Sequence, residues 1–427
     1  MLLAGLLLAV ALIVTSCAPQ EEAAAKSLKI ARVHPLSGPS ALWGVCSWQC
    51  DQQWAGEINE HGGLLVDGVR YPVELIGGDN QGDPNVTRTV AERMIFDEGM
   101  KFIIGPNTDV PFPAMTEITT PEKVINFGIT FDESSYGPHR PYATLGMWTA
   151  AQTGAITQKY FKETFDVKKI AFIQRDEPGA KAYLEDVKAS AEELGIEVAG
   201  TAYYNVGTTD MYPQATKVVA GNPDIVDAPS GSPEEMGLIC KAVRELGFKG
   251  IISEETGGDI EVTAGIAGRE NVEGLCLNAG SYDPEKMSPA LQEYYDRYIE
   301  LWGTWHPEGP TKLYAPLFLG AAIQKAGTIT DTDAVMEAFY TMQLKSPYMP
   351  GDQVVRVVGL ERFGLNCQIG VPLVIAQAQE GVWKAIYTYL PEPEEDMEYD
   401  SPYEFVWWAG GKHSLALAAN RQIDMRL

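Results

Sequence analysis

Few side chains in this sequence are spaced for chemistry of their own. Cys46 and Cys50 stand four residues apart on a segment that reads as a helix, so both thiols share one face. That spacing is near the limit for a disulfide. It leaves two readings open: a bridged or redox-sensitive pair, or two small apolar residues on a packed face. A zinc site lacks a matching second pair of ligands. Asp79-Asn80-Gln81-Gly82-Asp83 offers scattered oxygen ligands without the bidentate Glu of an EF-hand, and reads as a loop at a strand end. There is no Gly-x-Ser-x-Gly elbow, Walker A loop, dinucleotide Gly-x-Gly-x-x-Gly or His-Glu-x-x-His. No metal or cofactor is called for. A hydrolase or redox enzyme built on Cys46 and Cys50 is the one enzymatic reading left, and it is the weakest.

What remains is a set of loops that follow strands. They include Pro35-Leu36-Ser37-Gly38-Pro39, Gly105-Pro106-Asn107-Thr108, Phe127-Gly128-Ile129-Thr130, Asp176-Glu177-Pro178-Gly179, Ala228-Pro229-Ser230-Gly231 and Glu254-Glu255-Thr256-Gly257. In open parallel sheets such loops expose backbone N–H groups and helix N-termini, which suit a small anionic group. The elements that position them alternate. Leu28–His34 reads as a strand, 43–60 as a helix, 71–77 as a strand, and 84–98 as a helix opened by Asp83-Pro84. Short strands at 101–104 and 124–127 complete a βαβαβ unit, and the alternation repeats from 169 to 278. Ser232-Pro233-Glu234-Glu235 is a capping box with Pro at the first helical position. The fold class is therefore α/β, with two similar parallel-sheet units at 28–147 and 148–279. Three helices follow, then a hairpin at 371–389.

The 427 residues carry 58 Asp and Glu against 32 Lys and Arg, a net charge of −26. Such a surface repels phosphate backbones, which weighs against nucleic acid as a partner. Met1 to Ser16 holds no charge, and its apolar run is too short to span a bilayer. It has the length of a signal-peptide core, and Val14-Thr15-Ser16-Cys17 looks like a bacterial lipobox. Cys17 would then be lipidated and become the first mature residue, with 18–27 as tether. The missing Lys or Arg before the apolar run departs from the usual signal. The acidic, Pro-containing stretch 391–404 reads as a solvated, mobile tail. Residues 405–427, with Trp407-Trp408, either dock back on the protein or bind a partner.

Taken in order, Pro35-Leu36-Ser37-Gly38-Pro39 with Trp43-Gly44, Glu57-Ile58-Asn59 before His61-Gly62-Gly63, Asp79 with Asp83-Pro84, and Ile104-Gly105-Pro106 make the sequence similar to a known family. It resembles the type I periplasmic substrate-binding proteins of ABC importers, in the leucine/isoleucine/valine-binding branch, from about Leu28 to Tyr389. The resemblance implies two Rossmann-like lobes joined by a three-crossing hinge, with ligand held between them and a membrane permease as partner. The implied divisions are signal 1–16, tether 17–27, lobe one 28–147 plus 280–345, lobe two 148–279 plus 346–390, and tail 391–427. Trp43 matches an aromatic placed against the ligand. Thr108, or Asn107 beside it, matches the contact to the ligand carboxylate. Thr130 matches a second hydroxyl contact. Glu255 falls near the acid that pairs with the ligand's ammonium, with Glu254 adjacent. Aromatic residues expected near 176–179 and 229–230 are missing, so the ligand need not be leucine, isoleucine or valine. The implied activity is binding, not catalysis: an extracytoplasmic receptor for an amino acid or related small carboxylate. A ligand sensor of the same fold acting on a signalling partner is the alternative.

Overall fold

The structure is a computed structural model. It describes residues 26–38, 40–255, 258–278, 287–305, 309–346, 348, 353–392 and 400. Cys17, the signal and most of the tail lie outside the described residues.

The chain opens with β1 (Leu28–His34), α1 (Ala41–Glu60) and a hairpin of β2 (Leu64–Val66) and β3 (Val69–Tyr71). Then come β4 (Val73–Asp79), α2 (Pro84–Glu92), β5 (Phe102–Asn107), α3 (Pro111–Thr119), β6 (Ile125–Ile129) and β7 (Ala143–Leu145). A second series runs α4 (Ala150–Phe165), β8 (Lys169–Arg175), α5 (Pro178–Glu193), β9 (Glu197–Tyr204), α6 (Tyr212–Val219) and β10 (Ile225–Ala228). It continues with α7 (Pro233–Glu245), β11 (Ile251–Glu254), α8 (Ile260–Ala267), α9 (Arg269–Val272) and β12 (Cys276–Leu277). The last part holds α10 (Pro289–Trp302), α11 (Gly309–Lys312), α12 (Tyr314–Ala326), α13 (Thr332–Tyr340) and β13 (Gln343–Lys345). It ends with β14 (Val354–Val358), α14 (Leu360–Phe363), β15 (Gln368–Ile369), β16 (Leu373–Gln379) and β17 (Val382–Tyr389).

Local chemistry explains the starts of several helices. Asp83 caps α2 by accepting from Asn85 N and Val86 N. Thr149–Gln152 and Ser232–Glu235 form full capping boxes on α4 and α7, the second as the sequence predicts. The predicted helix through residue 98 stops short, because Arg93–Asp97 turns as a π-helix.

The strands form two large sheets. The first has the order β13-β14-β15-β7-β6-β5-β1-β4, with a parallel centre. The second has the order β17-β16-β12-β11-β10-β8-β9, parallel apart from β16 and β17. This is the two-lobed α/β architecture expected from the alternation. The chain passes from the first sheet to the second between Leu145 and Ala150, and again between Ile369 and Leu373. Trp148, in the first passage, is buried, donates from Nε1 to Val371 O at 2.8 Å, and packs edge-on to Tyr389. Gln368 donates to Met147 O at 2.8 Å and exchanges amide hydrogen bonds with Gln152. The crossing segments are thus tied to one another, and one apolar cluster continues through them into both lobes.

Two boundaries differ from the sequence reading. The resemblance ends the first lobe at 345, but Lys345 pairs antiparallel with Val354, and β14 and β15 belong to the first sheet. Gln368 pairs there with Leu145, a neighbour so distant in sequence that no local pattern announces it. The tail, expected to be solvated from residue 391, touches the first lobe at two described points. Glu392 O accepts from Arg356 Nε at 2.7 Å, and Asp400 bridges to Leu344 on the edge strand β13 and pairs with Lys325 at 2.9 Å. An edge strand offers unpaired backbone groups, which is what Asp400 takes up through Gln343 O. Among the described residues, no helix is long and apolar enough to cross a membrane.

Candidate functional site

The carboxyl ends of β1, β5 and β6 bring the first-lobe loops together. Asp79 accepts from Leu36 N and Gln81 N, each at 2.8 Å, and from Ser37 Oγ at 2.7 Å. Burial alone would raise its carboxyl, but these hydrogen bonds hold it below the usual value. Its oxygens are spent on shaping the first loop. Trp43 is half-buried in the first turn of α1, and its carbonyl accepts from Ser47 Oγ at 3.0 Å. Asn107, at the end of β5, donates from Nδ2 to Ser47 Oγ. So Trp43, Ser47 and Asn107 form one chain from helix to strand.

Thr108 follows, and its Oγ1 is buried with no hydrogen-bond partner. A hydroxyl in that state is costly unless something supplies the missing bond. Thr130 is different. Its hydroxyl is taken up by Asp109 O and Oδ1 at 3.3 and 3.2 Å and accepts from Asp132 N at 3.1 Å. Its backbone N donates to Tyr136 Oη at 3.1 Å. Thr130 therefore braces the loops at the ends of β5 and β6, and the open hydroxyl of the pair is that of Thr108.

Beneath these loops is a small cavity lined by Ser47, Asp51, Asn107, Ile129, Thr311 and Lys312 among others. Asp51 Oδ2 and His34 Nε2 are 2.9 Å apart and both residues are buried. Arg32, also buried, lies with its guanidinium 3.6 Å over the Trp48 ring. Burial lowers Arg32 to about 10, opposed by the charge of Asp51. Sequence reading missed this group, because β1 reads as an ordinary apolar strand and neither Arg32 nor His34 sits in a loop.

Cys46 and Cys50 lie on the core face of α1, wholly buried, and no disulfide joins them. This overturns the bridged reading and leaves the packed-face reading. Cβ atoms one helical turn apart stand about 5–6 Å from each other, farther than the roughly 3.5–4.5 Å of a disulfide. Cys50 Sγ instead lies 4.0 Å from Gly309 O. The other three described cysteines are free and buried too. Among the described residues no cluster of His, Cys, Asp or Glu could hold a metal ion.

In the second lobe, β10 and β11 end side by side, with Asp227 opposite Ser253 and Ala228 opposite Glu254. Asp227 is buried and accepts from Ser253 Oγ at 2.6 Å, yet burial still pushes its carboxyl up to about 7. Glu254 lies on the α7 side. The thiol of Cys240, on α7, is raised by burial and further by the charge of Glu254. Glu255, one residue past the strand, is 3% exposed, and its Oε2 has no hydrogen-bond partner. Burial alone pushes it up to about 8. An uncompensated carboxyl so far from water is what an incoming cation would relieve. Nearby, Glu235 accepts from Arg175 Nη2 and Nε at 2.6 and 2.8 Å, from Tyr204 Oη at 3.0 Å and from Ser232 N at 2.9 Å. Its role as a cap is legible in sequence; its ion pair is not.

The two lobes meet beside these loops, where a Cβ on Gly179 would stand 3.8 Å from Asp109 Oδ2. Phe131 and Tyr183 meet edge to face at 4.8 Å. Hydroxyl and backbone donors thus lie at the carboxyl ends of the first sheet, and the buried acids Glu254 and Glu255 at that of the second.

The sequence model of the periplasmic binding protein family matches residues 27–356. The leucine-, isoleucine-, valine-, threonine- and alanine-binding protein of Pseudomonas aeruginosa is 26% identical over 340 residues, 76% of this chain and 85% of its own length. A leucine-binding protein of Thermotoga maritima superposes with a TM-score of 0.69 at 22% identity, over 85% of this chain and 99% of that one. A solute-binding protein of an ABC transporter from Rhodopseudomonas palustris, solved with 3,4-dihydroxybenzoic acid, gives 0.67 at 17% identity, over 85% and 97%. The chain belongs to the periplasmic binding protein family, with the fold of its type I members, and is a binding protein and not an enzyme.

Proposed function

We propose that the protein is an extracytoplasmic, lipid-anchored receptor that closes its two lobes on an amino acid or related small carboxylate and delivers it to an ABC permease. The observation that carries this reading is Glu255, a wholly buried carboxyl with an oxygen left open at the carboxyl end of β11. A ligand ammonium supplies the missing partner. Thr108 Oγ1, the unpaired hydroxyl at the end of β5, and the backbone N–H groups around it suit the carboxylate. Trp43 and Asn107 shape that side of the cleft, and Thr130 holds its loop. The amino-acid binders among the relatives, and the neighbour that holds an aromatic acid, bracket the ligand class.

The test is a thermal-shift and calorimetric screen of the folded protein against amino acids, small amides and aromatic acids. A ligand at about a hundred times its Kd should stabilise the protein by about 2.7 kcal/mol. No stabilisation by any of them sinks the reading. Because an ammonium forces Glu255 to ionise, binding near pH 7 should also release protons, seen as a heat that depends on the buffer's ionisation enthalpy.

The anchor rests on Cys17 and the apolar run before it. In a bacterial host, Cys17→Ala is expected to move the protein from the membrane fraction to the soluble extracytoplasmic fraction. Continued membrane retention of that variant would remove the lipid anchor from the account.

A further inference from the structure

Helix α5 of the second lobe carries Gly179, Tyr183 and Asp186 at positions i, i+4 and i+7, which lie along one face. Together the three meet first-lobe groups from the loops after β5 and β6 and from α14. Gly179 faces Asp109, which follows β5. Tyr183 packs edge to face with Phe131, which follows β6. Asp186 lies within the fields of Glu133, also after β6, and of Arg362 on α14. Arg362 is itself held by Glu133, with Nε 2.7 Å from Oε1.

We infer that this face of α5 is the closure surface of the second lobe, and that Asp109 is the positioning residue that couples it to the ligand loops. The inference rests on the two-lobed receptor reading and names the contacts that hold its closed form. Asp109 is suited to the coupling because its two oxygens do different work. Oδ1 accepts from Phe131 N at 2.7 Å and from Thr130 Oγ1 at 3.2 Å, binding the loop after β5 to the loop after β6. Oδ2 faces the start of α5. That helix has no side-chain cap from Glu177, its N-cap residue, and no acid in its first turn. The free N–H groups and positive dipole end of the helix are therefore complemented by a carboxylate from the other lobe. A glycine at 179 leaves room for that approach. Thr108, next to Asp109, is fixed by the same contact, so closing the lobes also sets the ligand loop.

The test is a proximity measurement on the full-length protein. Phe131→Cys with Tyr183→Cys, treated with a short bis-maleimide, should give a linked 131–183 peptide by mass spectrometry. The pair Phe131→Cys with Glu185→Cys, on the exposed side of α5, should not. Failure of the first pair to link, or equal linking of both, overturns the inference. Arg362→Glu in the first background should slow linking about three- to ten-fold, the scale of one exposed charge pair, and adding Asp186→Arg should restore it. An unchanged rate in Arg362→Glu overturns it as well. Asp109→Asn, which keeps an acceptor and removes the charge, should slow linking while far-ultraviolet circular dichroism stays native. Linking needs no ligand. A protein that links but binds no amino acid or carboxylate therefore keeps this inference and loses the receptor reading, and one that binds but does not link does the reverse.

Discussion

Glu255→Gln is expected to weaken ligand binding at least about 30-fold while making the ligand-free protein more stable at pH 8. The two effects have one cause. Glu255 is buried, its Oε2 has no partner, and burial holds its carboxyl at about 8 against an ordinary 4.5. Below about pH 4.5 the acid is protonated in folded and unfolded chains alike, and it makes no difference to stability. As pH rises toward 8 the unfolded chain ionises while the folded chain keeps its proton. Stability falls through that window and levels off above about 8, where both forms are charged. At roughly 1.4 kcal/mol per pH unit, the full loss is on the order of 5 kcal/mol. Asp227, held at about 7, acts in the same direction between about 4 and 7. So does Glu57, raised to about 7 by burial despite help from Gln53 and Arg297.

The wild type should therefore lose thermal stability between pH 5 and 8, and Glu255→Gln should remove part of that slope. Gln keeps the shape and can hydrogen-bond, but it cannot neutralise an ammonium. Loss of a desolvated charge partner is typically worth 2 kcal/mol or more in binding, about 30-fold. Two measurements decide the matter: melting temperature against pH for both proteins, and calorimetric Kd for the ligand found by screening. Identical pH profiles, or a Kd changed less than about three-fold, would show that Glu255 is not the cation site.

Glu235→Ala should cost about 3–5 kcal/mol of stability, the usual loss when one partner of a buried ion pair is removed. The side chains of Arg175 and Glu235 are 17% and 9% exposed. One Glu235 carboxylate oxygen serves the Arg175 guanidinium, the Tyr204 hydroxyl and the Ser232 N–H that opens α7. Alanine strands all three. Burial and the neighbouring carboxylate raise the Tyr204 phenol well above its ordinary value, so it gives no other charge to replace the lost one. The urea midpoint should drop with no change in the slope of the transition. Replacing both partners, Arg175→Met with Glu235→Leu, should recover part of the loss, since no charge is then left buried. A loss under 1 kcal/mol for Glu235→Ala would mean that the pair is not desolvated in solution.

Much of this protein is legible in its sequence, and the division has a physical basis. The alternation of strands and helices, the Asp83 cap, the capping box at Ser232 and Glu235, and the loops after β1, β5, β6 and β11 follow from hydrophobic period and from capping chemistry. Both are local: each depends on residues within a turn or two. The ordered motifs from Pro35 to Ile104 carry the family resemblance on the same footing. The net charge of −26 weighs against a nucleic-acid partner without any structure at all.

Tertiary structure alone decides the rest, because burial and pairing join residues that the sequence keeps far apart. It places β14 and β15 in the first sheet, through Gln368 beside Leu145. It leaves Cys46 and Cys50 as core residues, because a straight helix holds their side chains side by side rather than converging. It separates Thr108 from Thr130, two loop hydroxyls equal in sequence, by committing the second to Asp109 and leaving the first open. It also buries Glu254 and Glu255 together at the end of β11, two acids that the chain alone places in a loop. Desolvation is a property of everything packed around a group, and no reading of neighbouring residues along the chain supplies it.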